Sequence, residues 1–186
     1  MKERIKKDFF LQSSSIVGKK ILGKDLVRKL NNGKERRGKI VEIEIYKGPE
    51  DKAAHTCNGK TKRNRVVWRR GGFLYIYLIY GIHFMLNIST SQKGNPECIL
   101  IRAIDSKNVS FKKTNGPGKL TKYLKIDKKF YGEDLSKSKK IWIEGKDKKE
   151  KIEKSVRINI DYAGRYWANK KWRFFIKKYE KGLPKP

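Results

Sequence analysis

Cysteine, histidine, acidic side chains and long apolar runs are all scarce in this sequence, and each shortage excludes something. Cys57 and Cys98 stand 41 positions apart, which is neither a disulfide framework nor a C-x-x-C metal spacing, and fits a reducing compartment. The longest apolar run, Phe73 to Ile88, has 16 residues and is broken by Tyr75, Tyr77, Tyr80, His83 and Asn87, whereas a spanning helix takes about 20 predominantly apolar residues. A membrane segment is therefore not expected. The opening MKERIKKDFFLQSSS is basic but carries no apolar stretch of signal-peptide length, so the chain is expected to stay in the cytoplasm. No Pro/Ser/Gly linker interrupts the 186 residues, and a hydrophobic content of 37% can fill one core. One domain over 1–186 is expected.

The shortage of acid leaves 48 Lys and Arg against 19 Asp and Glu, a formal net charge of +29 spread over the whole length. Such a field attracts polyanions and gains from the counterions they release, so nucleic acid is the leading partner. AT-rich coding, which inflates lysine without function, is the rival explanation. Lys137 to Lys140 and Lys146 to Lys151 read as solvated loops of that kind, bracketing the short apolar alternation IWIE.

Pattern supplies a frame. Ile16, Val17, Ile21 and Leu22 fall at helical spacing behind a serine-rich start, predicting an N-terminal helix capped by serine and ended by Gly23. GKIVEIEIYKGPED alternates as a strand, with Val41, Ile43 and Ile45 on one face and Glu42, Glu44 and Tyr46 on the other. Further strands are predicted around Ile99 to Ile104, with Arg102 inside an apolar run, and around Ile158 to Ile160 and Arg173 to Ile176. NGPGKLTKYLKI reads as a turn entering a helix whose one face carries Leu120, Tyr123 and Leu124. Tyr80-Gly81 sits between two β-prone arms, Phe73 to Ile79 and Ile82 to Ile88, predicting a hairpin with Tyr80 at its tip. Pattern alone leaves Tyr80 either packed on a neighbouring loop or free to wedge between stacked bases. It also leaves the whole chain open to a second reading, a small basic RNA- or ribosome-binding module with interleaved aromatics, which assigns no task to Glu44.

In their order along the chain, ILGKDLVR, GKIVEIEIYKGPEDKAAHT, RNR at 63–65, GFLYIYLIYGIHFMLNIS, CILIRAI, NGPGKLTKYLKI, RINIDYAG and WRFFI resemble the alkyladenine (3-methyladenine) DNA glycosylase family. The resemblance covers about residues 20–177. It implies an α+β fold: a single mixed domain around a curved antiparallel sheet, with peripheral helices and a protruding hairpin that intercalates into DNA. The implied activity is monofunctional hydrolysis of the N-glycosidic bond of alkylated or deaminated purines (3-methyladenine, 7-methylguanine, hypoxanthine and ethenoadenine) in double-stranded DNA, leaving an abasic site for base excision repair. No cofactor, metal or lysine Schiff base is implied, and the protein is expected to act as a monomer bound to the nucleoid.

The family's catalytic glutamate falls on Glu44, which activates the attacking water, and Arg102 matches an arginine that helps hold that water. Tyr46, His55 and Tyr77 match the aromatic base pocket, Asn87 the position that excludes guanine, and Tyr80 the intercalating tyrosine. Arg63, Asn64, Arg65, Gly116, Gly118 and Lys119 lie where the family contacts the DNA backbone, and Ile158 aligns with a position whose carbonyl also meets the water. Each has a plainer rival. His55 serves as a core residue or a partner of Cys57 in a metal site, for which neither spacing nor ligand count argues. Tyr46 and Tyr77 serve as core aromatics, Asn87 as a ladder residue, and Arg102 as the partner of an internal carboxylate. The chain departs from the family pattern at Lys62 and Lys171, where proline is usual, and at Val67-Trp68, where Met and Phe are common. Its short segment ahead of the matching region implies none of the partner-binding tails of larger relatives.

Overall fold

Strand β2 (Glu35–Lys47) is the element around which the others are arranged. In the computed structural model, which describes residues 3–147 and 149–186, the chain runs through α1 (Ser14–Ile21), β1 (Asp25–Lys29), β2, β3 (Leu74–Ile79), β4 (His83–Thr90), β5 (Glu97–Asp105), α2 (Pro117–Leu124), β6 (Ile141–Glu144), β7 (Ile152–Ser155), α3 (Arg165–Ala168) and β8 (Arg173–Ile176). The strands form one antiparallel sheet in the order β3-β4-β5-β2-β1-β6, with β7 and β8 added beside β2. Thirteen residues let β2 serve two partners on one edge. Its first half pairs with β1 and Glu42 to Glu44 pair with β8, while β5 runs along the other edge from Lys39 to Lys47. The sheet curls into a half-barrel within a mixed α+β domain, as the resemblance implies.

The apolar face of β2 is covered by the two longer helices. Val17 and Ile21 of α1 and Leu120 and Leu124 of α2 join Val41, Ile43 and Ile45 in one core cluster. The alternation predicts a polar face of Glu42, Glu44 and Tyr46, but that face is not solvated: Glu42 and Glu44 are completely buried, with the segment carrying Ile158 lying against Glu44. Register shifts mark the ladder between β2 and β5 on both sides of Glu42, leaving Val41 and Arg102 outside the paired positions. Such bulges re-aim a side chain at the cost of regular pairing.

Two local expectations are corrected. No serine side chain caps α1. The carboxylate of Glu97, brought to the helix start by β5, accepts from the Ser14 amide and hydroxyl at 2.6 Å each, and an anion there also meets the positive end of the helix dipole. Ile158 to Ile160 form no strand. Asn159 adopts φ +57, which an extended ladder does not accommodate, and β7 takes the place beside β8. IWIE is a strand, β6, paired with β1. Of the lysine run at 146–151, Lys148 lies outside the described residues. No helix among the described residues is long and apolar enough to cross a membrane.

Gly71 is the tightest backbone approach. A Cβ there would lie 2.0 Å from the Phe10 carbonyl oxygen and 2.9 Å from the Thr90 Cα. Backbone on both sides leaves no side chain to yield, so Gly71→Ala is expected to lower the unfolding free energy by at least about 2 kcal/mol, read as a lower midpoint in urea. An unchanged midpoint would mean that Phe10 does not pack there.

Candidate active site

Glu44 is held from three directions. Its Oε1 accepts the Ile158 backbone amide at 2.8 Å, and its Oε2 accepts the Tyr46 hydroxyl at 2.9 Å and faces Arg102 Nη1 at 3.1 Å. Tyr46 reaches Glu44 because two strand positions return a side chain to the same face. Arg102 reaches it across the bulge, and its Nε also donates to Glu42 Oε1 at 3.0 Å. Burial alone would lower the Arg102 guanidinium, but Glu44 and Glu42 together outweigh it and the net shift is upward. Burial, then the charge of Glu44, pushes the Tyr46 phenol well above its ordinary value of 10. Tyr46 therefore remains a proton donor to Glu44 at any physiological pH.

The other ring face and body of Tyr46 line a small cavity with His55, Tyr77, Asn87, Cys98 and Tyr162. His55 and Tyr77 lie 4.5 Å apart between ring centroids, and Tyr75 backs them. His55 Nδ1 is hydrogen-bonded to the Tyr75 hydroxyl at 2.8 Å. Asn87 is buried and donates to the Tyr75 carbonyl, so it is at once a ladder residue and a cavity wall. Burial pushes the Cys98 thiol up to about 12, with Asp51 and Glu97 adding to it, which keeps it a neutral wall and not a thiolate. The volume is about 40 Å³, room for a few waters and not for a flat heterocycle. Larger concavities lie elsewhere. One of them, about 980 Å³, is lined by charges such as Arg37, Asp105, Lys39 and Glu144 and contains none of the predicted site residues.

The hairpin stands at the edge of the sheet. Tyr80 and Gly81 both have positive φ, +51 and +71, and Ile82 donates back to the Ile79 carbonyl, the conformation of a type I′ turn. A tyrosine in the left-handed region is strained, and here it is also 78% exposed. A side chain this exposed on a strained backbone adds little packing to the fold.

The predicted backbone-contacting residues divide. Arg63, Arg65 and Lys119 are exposed, and Arg63 lies over the Tyr77 ring at 5.2 Å. Gly116 and Gly118 open α2, and a Cβ at Gly118 would meet the His83 ring at 2.8 Å, so glycine lets the helix start sit against the hairpin. Asn64 is the exception. It is buried, its amide donates to the His55 and Gly59 carbonyls, and its carbonyl oxygen accepts from Thr61. The side chain braces its own loop. Among the described residues no group of three or more His, Cys, Asp and Glu is placed to hold a metal ion.

Several contributors were not singled out from the sequence. Arg173 donates to Glu42 Oε1 at 2.5 Å. Arg157 makes a fully buried two-pronged pair with Asp51, also donates to the Ile45 carbonyl, and lies over the Tyr46 ring. That pair steadies both Tyr46 and the neighbouring Ile158 amide. The available signal was a cation inside an apolar stretch, as in SVRINI and WRFFI, which in a strand marks a buried charge in need of a partner.

His55 offers a direct check of the cavity. Desolvation against the tyrosines, followed by the charge of Arg63, lowers its imidazole to about 4. The ring is expected to titrate near pH 4 by NMR, and Arg63→Gln is expected to raise that value. Because the folded value lies below the ordinary 6.5, His55 costs no stability above pH 6.5 and lowers it as pH falls from there through about 4. A midpoint at 6.5 would mean an open, solvated ring.

Comparison with known proteins bears on the family of the chain. A family model described as methylpurine-DNA glycosylase (MPG) matches residues 8–180. A protein of Natranaerobius thermophilus, named provisionally as a 3-methyladenine DNA glycosylase, is 40% identical over 187 residues, covering 91% of this chain and 93% of its own. A Borrelia garinii protein with the same provisional name is 43% identical over 175 residues, covering 91% and 94%. The human DNA-3-methyladenine glycosylase is 35% identical over 199 residues, covering 94% of this chain and 66% of its own. The buried carboxylate, the aromatic cavity and the exposed hairpin tip thus belong to a member of the methylpurine-DNA glycosylase family, DNA-repair hydrolases acting on N-glycosyl bonds.

Proposed function

We propose that the protein turns an alkylated or deaminated purine out of duplex DNA into the Tyr46–His55–Tyr77 cavity and hydrolyses its N-glycosidic bond with a water activated by Glu44. The observation that carries this reading is Glu44 itself, completely buried and held on both oxygens at the hydroxyl end of a cavity wall. A strand glutamate with no task would face water. In the proposed step the water oxygen bonds to the anomeric carbon as the carbon–nitrogen bond breaks, and Glu44 takes the proton from water. The bond electrons leave with the base. A cationic alkylpurine becomes neutral as it departs and needs no proton, whereas a neutral deaminated purine departs as an anion and takes up a proton from water. Positive charge builds on the sugar meanwhile, and the same carboxylate opposes it.

The remaining residues have roles that follow from their positions. Tyr46, His55 and Tyr77 present flat faces to the base, and an electron-poor alkylated ring gains extra attraction from them. Asn87 crowds the exocyclic 2-amino group of guanine. Entry of a purine into 40 Å³ requires the two exposed wall residues, His55 and Tyr162, to move apart. Tyr80, strained and exposed, fills the gap left in the duplex, offsetting part of an unstacking cost of about a few kcal/mol. Arg63, Arg65, Lys119 and the Gly116–Gly118 turn hold phosphates without reading sequence. The reaction so written needs one water, one carboxylate and a monomer.

Single-turnover incubation with duplex oligonucleotides carrying hypoxanthine, ethenoadenine or methylated purine, followed by alkaline cleavage at abasic sites, tests the reading. Excision is expected from the native protein, and Glu44→Gln is expected to lower it by at least about 1000-fold with lesion binding retained. Near-native turnover in that variant would remove Glu44 from the proposed role. Tyr80→Ser is expected to weaken lesion-duplex affinity by about tenfold or more. Unchanged affinity and unchanged rate would show that Tyr80 is not the wedge.

A further inference from the structure

Four charges are buried together on the polar face of β2. Glu42 and Glu44 stand two residues apart, and both are fully buried. The Arg102 guanidinium bridges them, with Nε at 3.0 Å from Glu42 Oε1 and Nη1 at 3.1 Å from Glu44 Oε2. Arg173, from β8, places its Nε 2.5 Å from the same Glu42 oxygen and is itself anchored by donating to the Ser155 hydroxyl and the Pro184 carbonyl. One oxygen of Glu42 thus accepts from two guanidinium groups, while its Oε2 is buried and has no hydrogen-bond partner among the described residues.

We infer that Glu42, with Arg173, is a positioning residue that shares the charge of Arg102 and so leaves Glu44 able to accept a proton. This rests on the proposal that Glu44 activates water. Were Arg102 paired with Glu44 alone, the contact would hold the carboxylate as an anion and weaken it as a base, since an opposite charge at this distance favours the ionised form by about one to three pH units. Glu42 divides that guanidinium between two carboxylates and adds a like charge beside Glu44. Arg173 restores neutrality, two cations to two anions. The other groups facing Glu44 do not upset the balance. Arg157, on the segment above, is neutralised by Asp51, and Tyr46, Tyr77 and Tyr162 are uncharged phenols, each shifted upward, by burial first.

The test is the pH dependence of single-turnover excision, whose acid limb reports protonation of the essential base. In Glu42→Gln a like charge is gone, so the limb is expected to move down by about one pH unit with the plateau lowered by about tenfold. In Arg173→Gln a cation is gone, and the limb is expected to move up. Arg173→Lys, which keeps the charge but not the bonds to Ser155 and Pro184, is expected to leave the limb in place. The double variant Glu42→Gln/Arg173→Gln is expected to return it close to the native position. If removal of Glu42 prevents folding, the contrast between Arg173→Gln and Arg173→Lys decides alone. Limbs that coincide in all folded variants, whatever the plateau, would reduce Glu42 and Arg173 to scaffold and overturn this inference while leaving the glycosylase reading intact. A native protein that excises none of the lesions would overturn both.

Discussion

The buried ion cluster on β2 is the constraint to which the rest of the architecture answers. Removing one partner of a buried ion pair typically costs about 3–5 kcal/mol, because the survivor is left uncompensated in a poorly polarisable interior. Glu42 and Glu44 are therefore tolerable only where two strands and a loop converge to meet them. Strand β5 supplies Arg102, β8 supplies Arg173, and the segment after β7 supplies the Ile158 amide. The irregular register between β2 and β5 falls at this point. Local loss of regular pairing is the geometric consequence of turning Arg102 toward two carboxylates at once. A strand as long as β2 is needed because its first half holds the sheet together with β1 while its second half carries the charges.

Around that rigid centre the molecule grades outward toward parts that are free to act on a large partner. The Arg157–Asp51 pair is as deeply buried as the cluster, and it ties the turn after β2 to the chain that lies over Glu44. Next comes the aromatic cavity, whose inner walls Asn87 and Cys98 are buried but whose rim carries the exposed His55 and Tyr162. Outermost is the hairpin, with Leu78, Tyr80 and Ile82 all exposed. Apolar groups set in water on a protein of this charge are a poor choice for the isolated fold and a sensible one for a surface that meets stacked bases and phosphates. The fixed charges sit where side chains are buried and paired, and the exposed aromatic and apolar groups sit at the rim and the hairpin.

Much of this was legible in the chain. Alternation in VEIEIY placed Glu42, Glu44 and Tyr46 on one face because side chains in a strand repeat every two residues. The hairpin was legible because Tyr-Gly between β-prone arms leaves few other conformations. Helix α2 was legible from the spacing of Leu120, Tyr123 and Leu124. Less accessible were the partners of each charge. The cap of α1 comes from Glu97, 83 positions away, and Arg173 meets Glu42 across 131. The burial of Asn64 was hidden for a similar reason: its neighbours in sequence suggest an exposed basic loop, while its amide is spent inside that loop.

The sequence by itself determined the period of each element, the sign of the surface charge, the family and the identity of the groups available for chemistry. These follow from steric and hydrophobic rules that act over a few residues, or from composition. Only the tertiary structure decided that the polar face of β2 is buried, that one guanidinium is shared between two carboxylates, and that the cavity beside them is nearly closed. Those outcomes depend on contacts between segments from about sixty to more than a hundred residues apart, where the free energy of a buried charge is set by what the fold brings within about 3 Å of it and not by its neighbours along the chain.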